Sequence, residues 1–181
     1  MKLVNVAGLG GLFLIAALPV HALDSVSFEG GNSFKHPQTR LMRVGGQWDW
    51  DRKWLADGAW FLGGYWEASV GRWRTEDVDG SHEVVDFGFA PVLRYQKSGS
   101  GGFLPYVEAS VGAHYLTNTD ITLHRRFSTH FQFGSQVGAG FRFGKNGEYD
   151  LAYCLQHVSN ADIDKPNPGI DFHQFRFKYR F

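Results

Sequence analysis

The chain has 181 residues and a formal net charge of zero, with 18 Lys and Arg against 18 Asp and Glu. This balance gives no indication of nucleic-acid binding, which would favour a basic surface. Aromatic residues make up 16% of the chain and Gly contributes 23 residues, but mean hydropathy is slightly negative. This combination is typical of a transmembrane β-barrel, in which an apolar outer face and a polar inner face average out.

The N-terminus has the pattern of a secretory signal peptide. Lys2 supplies one positive charge, residues 3–20 form an uncharged apolar run, and a cleavage position follows. A membrane-anchoring helix is the alternative, and it is disfavoured because the run is short and Gly-rich for a span of ~20 residues. We therefore predict a signal peptide over residues 1–22 and a single mature domain over residues 23–181.

Eight segments of the mature chain alternate between apolar and polar residues. Successive side chains of a strand point to opposite faces, so each segment predicts a strand with one apolar face. The apolar faces of the first four predicted strands contain Val26 and Phe28; Met42, Val44, Trp48 and Trp50; Trp60, Leu62, Trp66, Ala68 and Val70; and Val85, Phe87, Phe89, Pro91, Leu93 and Tyr95. A polar loop is predicted at residues 74–81, and Pro91 indicates a bulge.

The second half of the chain continues this pattern after a flexible Gly-rich turn at residues 98–102. A longer loop is predicted at residues 118–128. The apolar faces of the last four predicted strands contain Val107, Ala109, Val111, Ala113 and Tyr115; Phe131, Phe133, Val137, Ala139, Phe141 and Phe143; Tyr149, Leu151, Tyr153 and Leu155; and Phe175, Phe177, Tyr179 and Phe181.

Eight strands of this length predict an all-β fold, an eight-stranded antiparallel transmembrane β-barrel with both chain ends in the periplasm. An eight-stranded barrel is filled by side chains, so we expect the inward charged residues to pair and to plug the interior. The alternative is a secreted β-sandwich, which would have to hide the many outward aromatics. The expected interior residues are Glu29, Arg43, Asp49, Glu67, Asp86, Arg94, Glu108 and Arg142.

Four polar residues interrupt the apolar face of the last two strands, namely His157, Ser159, Asp171 and His173. If these strands pair as a hairpin, His157, Ser159 and Asp171 meet near its loop. A serine hydroxyl becomes a nucleophile when a neighbouring imidazole accepts its proton, and an acid partner orients that imidazole. The sequence therefore predicts a Ser-His-acid triad, with solvated rim residues as the simpler alternative.

The motif His157-Val158-Ser159-Asn160-Ala161, with the segment 165–171 and the closing aromatic strand, resembles the lipid A 3-O-deacylases of the Gram-negative outer membrane. This resemblance implies an esterase that removes the ester-linked 3-hydroxyacyl chain at the 3 position of lipid A, with its active site toward the outer leaflet. It also implies Ser159 as nucleophile, His157 as general base, Asp171 as the acid and Asn160 in the oxyanion hole.

The acid position departs from that family, which typically has Glu where this chain has Asp171. Asp162 or Asp164 is an alternative acid, and the face of the strand favours Asp171. Loop residues His124, Arg125, Arg126 and Lys165 are candidates for binding lipid A phosphates, because guanidinium groups in particular pair well with phosphate.

Two other functions remain open at this point. A non-enzymatic outer-membrane barrel would make the triad accidental, and a lipid A acyltransferase would use the same nucleophile but pass the chain to an acceptor. No cofactor or metal is predicted, because the eight His residues show no ligand spacing. The expected partners are lipid A, or lipopolysaccharide, and outer-membrane lipid, and a homodimer is left open.

Overall fold

The computed structural model describes residues 22–35, 38–77, 80–122 and 125–181. All of the predicted signal peptide except its last residue lies outside these ranges. Across the described ranges, no helix is long and apolar enough to cross a membrane.

The described residues form eleven strands. They are β1 (Ser25–Ser33), β2 (Thr39–Asp49), β3 (Trp54–Asp57), β4 (Trp60–Asp77), β5 (Gly80–Lys97), β6 (Leu104–Leu116), β7 (Asp120–Thr122), β8 (Arg125–Arg126), β9 (Phe131–Phe143), β10 (Tyr149–Ser159) and β11 (Ile170–Arg180). The order β2-β1-β11-β10-β9-β6-β5-β4 is antiparallel throughout, and pairing of β2 with β4 closes it. The predicted eight-stranded barrel is confirmed, with β3 as a short addition to β4 and β7–β8 as a separate hairpin.

The prediction of a polar loop at residues 74–81 is wrong. Strands β4 and β5 pair continuously as far as Asp77 and Gly80. The alternation continues there with its polarity reversed, because Trp73 points inward and Arg74 points outward. A search for apolar outer faces does not recognise such a strand extension.

The predicted bulge at Pro91 is also absent. Strand β5 keeps one register on both sides, with Pro91 opposite Trp66 of β4. On the β6 side, the pairs Phe89–Ala113 and Val92–Ser110 lie in the same register around an unpaired step. Proline lacks an N–H, so this step loses ladder bonds without an inserted residue.

Ion pairs and hydrogen bonds fill the barrel interior. Arg43 contacts Glu29 at 3.2 Å and Asp86 at 2.8 Å, and all three side chains are buried. Arg94 lies 2.8 Å from Glu108 and 2.7 Å from Asp150 in a second cluster. These contacts confirm a plugged interior, as an eight-stranded barrel requires.

Three of the predicted interior residues differ from expectation. The buried Glu67 carboxylate accepts a hydrogen bond from Nε2 of Gln47 at 2.8 Å and makes no ion pair with a described residue. Asp49 pairs with Arg180 near the end of the barrel that carries the chain termini. Arg142 makes no ion pair with any described residue, because the Asp150 carboxylate opposite it on β10 is engaged by Arg94.

The other end of the barrel, which we call the loop end, has an apolar interior. The apolar cap consists of Leu41, Trp73, Val84, Leu116, Ile121, Phe127, Val158, Ile170 and Phe172. Ile121 and Phe127 come from the connection between β6 and β9, so this loop folds over the barrel mouth. The cap buries side chains of β10 and β11 and thereby fixes where their hairpin lies.

Replacement of Arg43 by Met is expected to lower the free energy of unfolding by about 3–5 kcal/mol, since it leaves the buried Glu29 carboxylate without its cation and the Asp86 carboxylate with His114 alone. Urea titration in lipid vesicles, followed by tryptophan fluorescence, measures this change. Arg40→Met is the matched control, because Arg40 lies on the same strand and is exposed. Equal free energies of unfolding for the two variants would contradict a stabilising role of the Arg43 ion pairs.

Candidate functional site

The hairpin of β10 and β11 places the three predicted triad residues together. Their register sets His157 directly opposite Asp171 and Leu155 opposite His173. Ser159 is the last residue of β10 and lies two positions beyond His157 on the same outward face. The alternation that predicted a shared face is therefore confirmed.

A chain of two hydrogen bonds joins the three side chains. Nδ1 of His157 lies 2.6 Å from Oδ1 of Asp171, and Nε2 of His157 lies 3.0 Å from Oγ of Ser159. The side chains of His157 and Asp171 are 49% and 43% exposed. With Nδ1–H donated to the carboxylate, Nε2 is free to accept the serine proton, which is the arrangement of a serine esterase.

Buried neighbours hold these outward side chains in place. Val158, between His157 and Ser159, points inward and is fully buried in the apolar cap. Ile170, next to Asp171, is buried in the same cap. A one-residue slip of either strand would exchange these apolar side chains with the polar triad, so the cap strongly favours the observed register.

Gly169 packs directly against the imidazole. Its φ is +56°, and a Cβ atom built on it would lie 2.9 Å from Cε1 of His157. Only glycine allows both this backbone conformation and this close approach. The sequence interpretation missed this residue, although a glycine two positions before the acid was a visible signal.

Arg125 connects the β7–β8 hairpin to the same turn. Its guanidinium donates a hydrogen bond to the backbone carbonyl of Gly169. Burial lowers the pKa of Arg125 from its ordinary value, and the nearby Asp171 carboxylate partly opposes this shift. A residue predicted to bind phosphate thus supports the turn that covers the imidazole.

The structure does not give Asn160 a free donor for an oxyanion hole. Its side-chain Nδ2 donates to Oγ of Ser128 and to the carbonyl of Asp164, each at 2.8 Å, and its backbone N–H donates to Oδ1 of Asn167 at 3.0 Å. Asn160 is fully buried. It ties the loop after β10 to the loop before β9, and this geometry does not support the predicted contact with the oxyanion.

The two alternative acids are engaged outside the triad. Oδ1 of Asp162 accepts a hydrogen bond from Nδ2 of Asn167 at 3.1 Å, and Oδ1 of Asp164 accepts one from the backbone N–H of Lys165 at 2.8 Å. The hydrogen bond to His157 belongs to Asp171, so the shorter Asp side chain spans the distance without help.

The remaining phosphate-binding candidates lie on the loops around the site. Arg126 is exposed and pairs with Asp120 at 3.3 Å. Lys165 is exposed in the loop after β10. His124 lies outside the described residues. Phosphate binding by these residues stays a prediction.

A groove of about 540 Å³ opens beside the triad on the outer surface. His157 and Asp171 line one side of it, and residues of β6 and β9 line the other. The groove faces outward beside the Ser-His-Asp chain, and the barrel interior is filled. This arrangement suits a substrate that reaches the site laterally, from within the membrane. The fold defines a transmembrane β-barrel protein, and the hydrogen-bonded chain of Ser159, His157 and Asp171 on its outer face has the geometry that a serine esterase needs.

Comparison with known proteins gives the particular family. The model of the lipid A 3-O-deacylase (PagL) family matches residues 41–180, so the chain belongs to that family. Lipid A deacylase PagL of Pseudomonas aeruginosa is 30% identical over 178 residues, which cover 98% of this chain and 97% of that protein. Lipid A deacylase PagL of Bordetella bronchiseptica is 31% identical over 128 residues, which cover 71% of this chain and 57% of that protein.

Solved structures agree with this assignment. The crystal structure of the outer membrane enzyme PagL superposes with a TM-score of 0.76 at 27% identity, covering 87% of this chain and 99% of that chain. Neisserial surface protein A matches with a TM-score of 0.52 at 10% identity, covering 87% of this chain and 95% of that chain, and shows the barrel fold alone.

Gly169→Ala is expected to slow the reaction of Ser159 with a fluorophosphonate probe by about 10²-fold, because the added methyl displaces the imidazole from the hydroxyl. The rate of covalent labelling in detergent measures the effect.

Gly147→Ala is the control, since Gly147 also has a positive φ of +70° but its Cβ would meet nothing closer than 3.7 Å. Both variants bear a similar backbone cost of about 1–2 kcal/mol. Equal labelling rates in the two would mean that Gly169 does not position His157.

Proposed function

We propose that this protein hydrolyses the ester that links a 3-hydroxyacyl chain to the 3 position of lipid A in the outer membrane, with Ser159, His157 and Asp171 as its catalytic residues. The hydrogen-bonded chain from Asp171 through His157 to Ser159 is the observation that carries this proposal. Membership of the lipid A 3-O-deacylase family supports the reaction and the substrate.

The first half of the reaction transfers the acyl chain to the enzyme. Oγ of Ser159 attacks the ester carbonyl while Nε2 of His157 accepts its proton. Asp171 stabilises the resulting imidazolium through Nδ1–H. When the bond to the sugar breaks, His157 gives its proton to the departing 3-oxygen, and an ester of Ser159 remains.

Water completes the reaction. His157 removes a proton from a water molecule, whose oxygen attacks the Ser159 ester. The bond between the acyl carbon and Oγ breaks, Ser159 recovers its proton, and a hydroxy fatty acid is released. The half-exposed imidazole beside the polar loop at residues 160–168 gives water access, which favours hydrolysis over transfer to another acceptor.

Asn160 acts in this proposal as a positioning residue. Its three N–H donors hold the loops that flank Ser159, at Ser128, Asp164 and Asn167. Donors for the oxyanion then come from other groups near Ser159. A homodimer stays a prediction.

The position of the triad at the loop end also indicates how the barrel is oriented in the outer membrane. Lipid A occupies the outer leaflet, so the loop end faces the cell exterior. The outward apolar side chains on the periplasmic side of the triad, which we call the apolar belt, then lie among the acyl chains of the bilayer. Arg126 and Lys165, on the loops at this end, are then placed near the level of the sugar phosphates.

The non-enzymatic alternative predicts no ordered relation among the three residues. Their distances of 2.6 and 3.0 Å, reached by residues from two strands on a mostly apolar face, favour catalysis instead.

Expression of the wild-type protein is expected to remove one 3-hydroxyacyl group from lipid A, whereas Ser159→Ala leaves lipid A intact because the nucleophile is lost. Mass spectrometry of extracted lipid A reads the result, and heat-modifiable gel mobility verifies folding. Ser100→Ala, in the exposed turn between β5 and β6, is the matched control. Removal of the chain by Ser159→Ala would exclude this serine as nucleophile.

Asp171→Asn is expected to lower kcat by about 10⁴-fold with little change in KM, because the neutral amide neither stabilises the imidazolium nor selects the correct tautomer. Asp171→Glu, which restores the residue typical of the family, is expected to stay within about tenfold of the wild type. Release of hydroxy fatty acid from lipid A in detergent measures both. A folded Asp171→Asn variant with full turnover would transfer the acid role or reduce the triad to a Ser-His dyad.

A further inference from the structure

The groove beside the triad is a region of the outer surface in which small and aliphatic side chains replace the aromatic ones found on the neighbouring outward positions. Its outward lining outside the triad is formed by small and aliphatic side chains on β6, β9 and β10 together with one aromatic residue before β2. These residues are Phe34, Ala109, Val111, Ser135, Val137 and Leu155. Large aromatic side chains at the neighbouring outward positions, Phe131 and Phe133 on β9 and Tyr153 on β10, leave the groove as a depression in the surface.

The groove runs from the triad toward the middle of the apolar belt. Strand β10 approaches the loop end as its numbering rises, so Leu155 lies deeper than His157, and Ser159 lies at the rim. Strand β9 runs the opposite way and pairs Ser135 with His157 and Val137 with Leu155. An acyl chain whose carbonyl lies at Ser159 and whose tail points to the bilayer centre passes these two pairs in that order.

Ser135 is the one polar side chain among the outward groove residues outside the triad. It is exposed on the face that meets lipid, and its hydroxyl makes no hydrogen bond within the part of the chain that the structure describes. A hydroxyl surrounded by hydrocarbon costs free energy unless it finds a hydrogen-bond partner. Lipid tails offer none, and a polar group on an acyl chain bound in the groove would supply one.

We propose that the Ser135 hydroxyl binds the 3-hydroxyl group of the acyl chain that is removed, and so selects hydroxylated chains over unsubstituted ones. This inference rests on the proposed deacylase function. The 3-hydroxyl group lies two carbons from the carbonyl carbon. Because the Ser159 oxygen attacks this carbonyl carbon, the 3-hydroxyl group is held near the triad. Directly paired residues of antiparallel strands have Cα atoms about 4.5–5.5 Å apart, so Ser135 lies beside His157 at this depth.

Two synthetic glucosamine esters that differ only in the acyl 3-hydroxyl test the proposal. One carries a 3-hydroxytetradecanoyl chain at the 3 position of the sugar and the other carries a tetradecanoyl chain. The wild type in detergent is expected to cleave the hydroxylated ester with a kcat/KM about tenfold higher, because a hydrogen bond made in an apolar groove discriminates by about that factor. Ser135→Ala is expected to remove this preference by lowering kcat/KM for the hydroxylated ester toward the value for the unsubstituted ester.

Thr and Val at position 135 form a matched pair, since they differ in one hydroxyl at nearly equal volume. Ser135→Thr is expected to keep the preference and Ser135→Val to lose it. If a wild-type preference is absent, or if Ser135→Ala changes both esters equally while Thr and Val behave alike, recognition by Ser135 is excluded.

The proposed function is tested separately by the unsubstituted ester. Its cleavage by the wild type and not by Ser159→Ala supports the triad whatever the effect of Ser135. Failure of the wild type to cleave either ester overturns both the triad and the role of Ser135.

Discussion

Closure of the β2–β4 pair gives every barrel strand two hydrogen-bonded neighbours, and this constraint determines the direction of each side chain. A spanning strand with an unpaired edge would leave backbone N–H and C=O groups without partners in lipid, so the ladder has to close. Once its register is set, period-two alternation decides which residues meet lipid and which fill the interior. The triad depends on this constraint most directly, because His157 and Asp171 meet only in the observed register of β10 and β11.

Polarity inside the barrel changes along its axis, and the change supports the site. Arg43 and Arg94 hold carboxylates in the middle of the barrel, where the outer face is apolar. At the loop end the interior is apolar and charged residues such as Arg72 and Glu83 pair on the outside. A rigid apolar cap beneath a polar rim gives His157, Ser159 and Asp171 a fixed base and an aqueous neighbour at once.

The sequence predicted the eight strands, their lipid and interior faces, and the proximity of His157, Ser159 and Asp171, because these follow from alternation and from a short local motif. Contacts between distant segments could not be read in this way. Arg125 reaches Gly169 across 44 positions, and Asn160 reaches Ser128 across 32. The extended hairpin of β4 and β5 was missed for a different reason, since its alternation persists while its polarity is reversed. Prediction from period-two alternation therefore succeeded where each face of a strand meets one environment, either lipid or the barrel interior. It failed where that environment changes along the strand and where a loop folds back onto the barrel.

The filled interior has a kinetic consequence for an enzyme whose triad faces outward. Substrate cannot reach the outward face through the barrel, since side chains such as Arg43 and Arg94 fill its interior, and it has to arrive by diffusion within the leaflet. Encounter is then a two-dimensional process governed by the mole fraction of lipid A in the leaflet. Diluting the membrane with inert lipid slows turnover, whereas diluting the suspension with buffer does not.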